Sequence, residues 1–389
     1  MNDTNSTPTI KNFLPAQYAA DKNRAISHNY LQQQFSDYEQ IFEKIRDVVI
    51  RGDFTLGSEV DRLEEEFAAL SNARYAVGVG SGTDALLLSL KALDIGPGDE
   101  VITTPFTFYA TIGAIVTAGA TPVFVDVRED YNIDPHKISE KITKKTKAIV
   151  PVHWSGRPAA MTEIEVAAKQ HGIAVVADAC HAINSEYHGR RVGELGDIAC
   201  FSFHPLKNLN VWGDGGILTT NSSQVADRIR LLRNHGLVSR DEVQVFAYNS
   251  RLDTIQAVVA RHMLKKIHSI TASRISRSRF FDEGLSGIRG VKVPERDERI
   301  VEVFHLYQVL CERRDDLQRF LISEGVDAKV HYPIPMHLQP AARYLGYKRG
   351  DFPVAESIAA RILSLPVHEF ITESQQEFVI RLIRRFYGA

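Results

Sequence analysis

The stretch FSFHPLKNLNVWGDGG, residues 201–216, decides how the rest of the chain is read. It sets a single lysine, Lys207, between Ser202 and the glycine-rich turn at 213–216, an amine presented on a loop. Lys207 lies 29 positions after Asp178, which closes the apolar run IAVVAD (173–178). A lysine and a carboxylate so paired suit pyridoxal 5′-phosphate, held as a Schiff base on the lysine with the carboxylate at its pyridinium nitrogen. Taken alone, Lys207 reads more simply as a surface lysine in a turn. The residues around it reverse that balance.

Outward from this stretch, short β-branched runs alternate with helical periodicity. Strands are expected at 75–79, 101–104, 122–127, 148–152, 173–177, 198–203 and 217–220, with helices at 84–93, 110–118 and 163–170 between them. Continuous apolar strands joined through helices imply a mostly parallel sheet covered on both faces. Upstream, 38–50 and 60–70 carry apolar residues at helical spacing. Downstream, helices are expected at 224–233 and over RLDTIQAVVARHMLKKI (251–267), a strand at 301–311, and helices at 315–324 and 373–386. The fold class is α/β: an irregular arm over 1–25, a large domain over 26–269 with a mostly parallel sheet between helices, and a smaller α+β domain over 270–389.

The 389 residues are 44% hydrophobic and 24% charged with a formal net charge of −2. That balance is ordinary for a globular protein and supplies no basic field for nucleic acid or anionic membrane. Cys180, Cys200 and Cys311 are odd in number and lack metal-ligand spacing, so they read as reduced core residues, and no metal is expected. No apolar run approaches the ~18 residues of a membrane span, and the polar first twenty residues do not read as a signal peptide. A cytoplasmic enzyme is expected.

Chemistry gathers at the expected strand ends. Gly80-Ser81-Gly82-Thr83 joins a strand to a helix whose N-terminus favours phosphate, although Thr83 also suits a plain N-cap. Neither the G-x-G-x-x-G nor the P-loop pattern is complete there. Phe108 follows the next strand, where it suits stacking on a planar ring or burial in the core. Asp178 and Ser202 close two further strands, with N-cap and turn-serine readings as their simpler alternatives.

With these elements in order, the chain resembles the DegT/DnrJ/StrS sugar aminotransferases of the aspartate aminotransferase fold type I. The resemblance runs from about residue 26 to the C-terminus. It rests on FTLGSEV (54–60), GVGSGTDAL (78–86), GPGDEVITTPFTF (96–108), PVHWSGRPAAM (151–161), ADACHA (177–182), FSFHPLKNL (201–209), GDGG (213–216), LRNHG (232–236), YNSRLDTIQA (248–257), HYPIPMH (331–337) and SLP (364–366). It implies pyridoxal 5′-phosphate as cofactor, with Lys207 as the catalytic Schiff-base lysine and proton shuttle, Asp178 on the pyridine nitrogen, Phe108 on the ring, and Gly82, Thr83 and Ser202 on the phosphate. His181 would lie near the ring's 3-hydroxyl. Asn249 would reach across a homodimer interface to the partner's phosphate, giving shared active sites. The donor would be L-glutamate or L-glutamine and the acceptor a nucleotide-linked keto-sugar, a 3-keto-6-deoxyhexose by the character of NSRLD (249–253) and GDGG.

The chain departs from the family pattern at HW (153–154), NVW (210–212) and VHEF (367–370), places where acceptor specificity could differ. A cyclitol aminotransferase acting on an inosose-type ketone is the nearest alternative, and a non-catalytic regulator that kept the cofactor fold is the next. The family's dehydratase branch carries His in place of the lysine, and Lys207 argues against it.

Overall fold

The computed structural model describes residues 25–28 and 30–388. The arm expected over 1–25 therefore lies, apart from Ala25, outside the described residues.

Seven strands form the principal sheet: β1 (Tyr75–Val79), β2 (Glu100–Thr103), β3 (Thr121–Phe124), β4 (Thr146–Ile149), β5 (Ala174–Asp178), β6 (Ile198–Ser202) and β7 (Gly216–Thr220). Their order is β1-β7-β6-β5-β4-β2-β3. Only β7 runs against the rest, pairing antiparallel with both β1 and β6. The other contacts are parallel, so the carboxyl ends of β1, β2, β5 and β6 all lie along one edge.

Helices cover both faces. α1 (Tyr38–Arg51), α2 (Ser58–Leu70), α5 (Met161–His171) and α7 (Thr254–Leu264) pack on one; α3 (Gly82–Ala92), α4 (Tyr109–Ala118) and α6 (Ser223–Leu232) pack on the other. Val175 and Ala177 of β5 face the first layer while Val176 between them faces the second. That two-sided burial is why these strands read as unbroken apolar runs. Each fully buried Val, Ile or Leu contributes roughly 1.5–3 kcal/mol, and a one-residue slip would trade the two faces, so register is firmly set.

After α7 the chain enters α8 (Ile267–Leu285), then β8 (Val291–Lys292), β9 (Tyr307–Cys311), α9 (Arg314–Ser323), α10 (Pro353–Arg361), β10 (Ile362–Leu365) and α11 (Glu373–Tyr387). The three strands form an antiparallel sheet in the order β8-β9-β10. Phe281, Tyr307, Val309, Leu317, Leu363, Val379 and Ile383 fill its core, together with Ile26, which bridges to Val326. Thr372 caps α11, its hydroxyl accepting from Gln375 N–H while the Gln375 side chain returns to the Thr372 N–H. A second cluster of Phe106, Trp154, Leu310, Met336, Phe352 and Ile362 joins the two sheets.

Three sequence-based expectations differ from the structure. The helix expected over 251–267 begins only at Thr254, because Arg251 bridges to Val79 and Asp253 to Thr55, and it ends at Leu264 before α8 starts. The strand expected over 301–311 is split into Ile300–Val301 and β9. Between them Val303 N–H donates to the Gly156 carbonyl at 3.2 Å and Phe304 turns at φ 47°. α10 and β10 have no counterpart among those expectations. Among the described residues, no helix is long and apolar enough to cross a membrane.

Candidate active site

The shared carboxyl edge brings the expected site residues together. Asp178 ends β5 and is buried. Its Oδ2 accepts from the Thr111 hydroxyl at 2.7 Å, and Thr111 meets the Thr107 hydroxyl at 2.8 Å. Its Oδ1 accepts from Cys180 N–H at 3.2 Å. Asp178 is therefore a turn carboxylate oriented by a hydroxyl and does not cap a helix. The sequence does not mark Thr107 and Thr111, since nothing in TPFTFYAT separates them from Thr104.

The loop after β1 makes the cradle. Ser81, not Thr83, is the N-cap of α3: its hydroxyl accepts from Asp84 N–H at 3.0 Å, with Thr83 inside the first turn and exposed. The Gly82 and Thr83 N–H groups precede the first intrahelical hydrogen bond, the position at which a helix offers donors to an anion. Two glycines set the approach. A Cβ on Gly82 would lie 2.7 Å from Ser202 Cβ, and one on Gly216 would collide with the Ser81 carbonyl. Ser202 is buried at the end of β6, and its hydroxyl accepts from His204 N–H at 3.2 Å.

Lys207 occupies the connection from β6 to β7, half-buried. Asn208 anchors this connection by donating to the Val303 carbonyl at 3.0 Å. Desolvation lowers the Lys207 amine below the usual lysine range, opposed by nearby Cys180 and Asp178. A lysine so placed keeps more of its amine neutral at physiological pH.

One wall is aromatic and imidazole. His181 Nδ1 accepts from Ser155 N–H at 3.3 Å, which leaves the proton on Nε2. Burial first, then the Lys207 charge and His331, hold its pKa well below the usual value, so it stays neutral. His305, unnoticed in the sequence, lies 4.4 Å from His181 between ring centroids. Trp154 is fully buried behind them, donating Nε1–H to Gln308 at 2.7 Å. Its ring lies 5.5 Å from His181 and 5.7 Å from Tyr332. Phe108 precedes α4 at the edge of the crevice, its ring 3.7 Å from Tyr109 and 5.7 Å from Tyr332.

Asn249 is exposed and pairs with Asn234 beside the cradle, since Gly80 N–H donates to the Ser250 carbonyl at 3.1 Å. Among the described residues no group of three or more His, Cys, Asp or Glu is arranged to hold a metal ion.

These residues fit pyridoxal phosphate. Gly82 leaves a close-approach surface beside Ser202, Asp178 supplies a buried and oriented carboxylate, and Lys207 supplies an amine of lowered basicity in the same crevice. The DegT/DnrJ/EryC1/StrS aminotransferase family matches residues 36–384. The chain belongs to that family. It is a pyridoxal-phosphate-dependent sugar aminotransferase.

The chain is 42% identical over 92% of its length, and 97% of the relative's, to a pleiotropic regulatory protein of Geobacillus stearothermophilus. It is 39% identical to dTDP-3-amino-3,4,6-trideoxy-alpha-D-glucose transaminase of Streptomyces venezuelae, over 90% of the chain and 95% of that protein. Among solved structures, DesV of S. venezuelae in complex with a ketimine intermediate superposes with a TM-score of 0.92 at 38% identity, covering 94% of this chain and 99% of that one.

Proposed function

We propose that this aminotransferase moves the amine of L-glutamate or L-glutamine to C3 of a nucleotide-linked 3-keto-6-deoxyhexose, as a cytoplasmic homodimer. The convergence of Lys207, Asp178 and the Gly82–Ser202 cradle on one sheet edge carries the reaction type. The acceptor rests on the 3-amino sugar in the name of the Streptomyces relative. We also propose the division of the chain near residue 269 into a large cofactor-binding unit and a smaller C-terminal one.

The cofactor supplies the electron sink that makes a proton beside the amine removable. Asp178, oriented by Thr111, would keep a proton at the ring nitrogen. The Gly82 and Thr83 N–H groups and the Ser202 hydroxyl would hold the phosphate against the positive end of α3. Phe108 would lie on the ring plane. His181, neutral with its proton on Nε2, would donate to the ring oxygen. Lys207 would be the point of attachment and, as an amine of lowered basicity, would take up and return the proton beside the donor's amine. Asn249 of each subunit would complete the phosphate site of the other.

The deciding experiment is spectroscopic. Glutamate added to the purified holoenzyme should convert the absorbance of lysine-bound cofactor to that of its amine form, and a nucleotide-linked 3-keto-sugar should restore it. Borohydride should fix the cofactor on Lys207, and Lys207→Ala should lose both signals. Restoration by an inosose, and by no nucleotide sugar, would replace the acceptor. The name of the Geobacillus relative favours a second reading, a regulator; binding of cofactor without amine exchange would establish it. For the shared site, mixing inactive Lys207→Ala with Asn249→Ala protein should regain activity in mixed dimers, and no regain would place Asn249 in its own subunit's site.

A further inference from the structure

Two of the stretches that depart from the family pattern, NVW (210–212) and VHEF (367–370), are joined through one buried side chain, Gln34. Asn210 is fully buried, and its Nδ2 donates to Gln34 Oε1 at 2.8 Å and also contacts the Pro205 carbonyl. Pro205 and Asn210 flank Lys207 in sequence, so the second contact closes the lysine's loop at its base. The Gln34 amide continues outward, its Nε2 donating to Glu369 Oε1 at 3.1 Å. Glu369 Oε2 lies 3.6 Å from Arg274 Nε.

Arg274, itself buried, donates Nη1–H to the carbonyls of Phe304 and Val367 at 3.0 Å each and contacts the Tyr30 hydroxyl. Phe304 is the residue before His305, whose ring packs at a tilt against His181. One polar chain therefore links the Lys207 loop to the opposite wall of the site, and its central member comes from the N-terminal segment.

We propose that Gln34 is a positioning residue for Lys207, coupling the placement of the lysine's loop to the Glu369–Arg274 pair that holds the His305 wall. The proposal rests on the reading of Lys207 as the cofactor's attachment point. The polarity of the site demands a carboxamide. Position 34 must accept from Asn210 and donate to Glu369 at once, which a neutral amide does and neither a carboxylate nor an alkyl side chain can. A carboxylate there would face Glu369 directly, and an alkyl group would strand both neighbours in a buried network.

The test uses the full chain with pyridoxal 5′-phosphate as probe, and reads three quantities. These are the cofactor dissociation constant, the midpoint of the pH dependence of the lysine-bound absorbance, and the melting temperature. Gln34→Ala and Gln34→Glu should each weaken cofactor retention about tenfold and move the absorbance midpoint. The double variant Gln34→Glu/Glu369→Gln reverses the donor and acceptor, so it should return both readings most of the way to wild type.

A lowered melting temperature in Gln34→Ala, with retention and midpoint unchanged, would reduce Gln34 to a brace of the fold and overturn the proposal. A double variant no better than Gln34→Glu would overturn it too, and this comparison stands even where Gln34→Ala fails to fold. Failure of borohydride to fix cofactor on Lys207 in the wild type would instead remove the underlying reading.

Discussion

Asp178 owes its orientation to a hydroxyl, and that separates two contributions usually removed together. Replacing Asp178 by Asn takes away the charge proposed to keep the ring nitrogen protonated. Replacing Thr111 by Val takes away only the 2.7 Å hydrogen bond. Single-turnover rates with glutamate should fall by about 10²–10⁴-fold in Asp178→Asn and by about tenfold in Thr111→Val, the worth of one buried hydrogen bond. Equal losses would mean that Thr111 does more than aim the carboxylate. Asp178, Ser202 and Gly82 were legible in the sequence because each closes or follows an apolar strand. Thr111 was not, because its role depends on the rotation of α4. Asn210 and Glu369 lie in stretches marked by their departure from the family pattern, but their link through Gln34 is not legible: its two contacts span 176 and 335 residues of chain and leave no local pattern.

The elements that aim the site are held from behind. Glu64 of α2 accepts from Gly78 N–H at 2.9 Å and from Arg233 at 2.5 Å, while Arg233 also donates to the Gly78 carbonyl at 2.7 Å. This buried triangle clamps the end of β1 just before the cradle, which gives Arg233 of the LRNHG landmark a structural role. Removing Arg233 leaves the buried Glu64 carboxylate with only the Gly78 N–H and Arg230 at 3.9 Å, so Arg233→Ala should lose about 3 kcal/mol of stability. Denaturant titration of the apoprotein checks this, and a loss below about 1 kcal/mol would show that water replaces the arginine. Element types were well marked by period, and the errors share one cause. VEVFHLYQVLC (301–311) alternates as a strand does, but Val303 bonds to the Gly156 loop and Phe304 turns the chain. RLDTIQ (251–256) has helical spacing, but Arg251 and Asp253 are taken by bridges to β1 and to Thr55. In both places a tertiary partner outcompetes local preference.

Across the molecule, burial of neutral imidazoles sets the response to acid. Burial holds His153 near a pKa of about 3, and His368 near about 4. Both fall below the ordinary 6.5, so in the window beneath that value the unfolded chain takes up protons that the folded one refuses. Stability should therefore decline as pH falls from neutral, by up to about 1.4 kcal/mol per pH unit for each imidazole. Urea midpoints at pH 7, 6 and 5 measure it, and a flat profile would show that these histidines are protonated in the native state. The placement of β7 carries a different consequence, for synthesis on the ribosome. β1 and β6 do not touch each other; both wait for a strand that emerges only after the Lys207 loop has been made. Until then each presents a bare apolar edge, the kind that recruits strands from other chains. A nascent chain paused before Gly216 would expose both edges at once, and the sheet edge that carries Asp178 and Ser202 would close onto the Gly82 loop only with β7 between its neighbours.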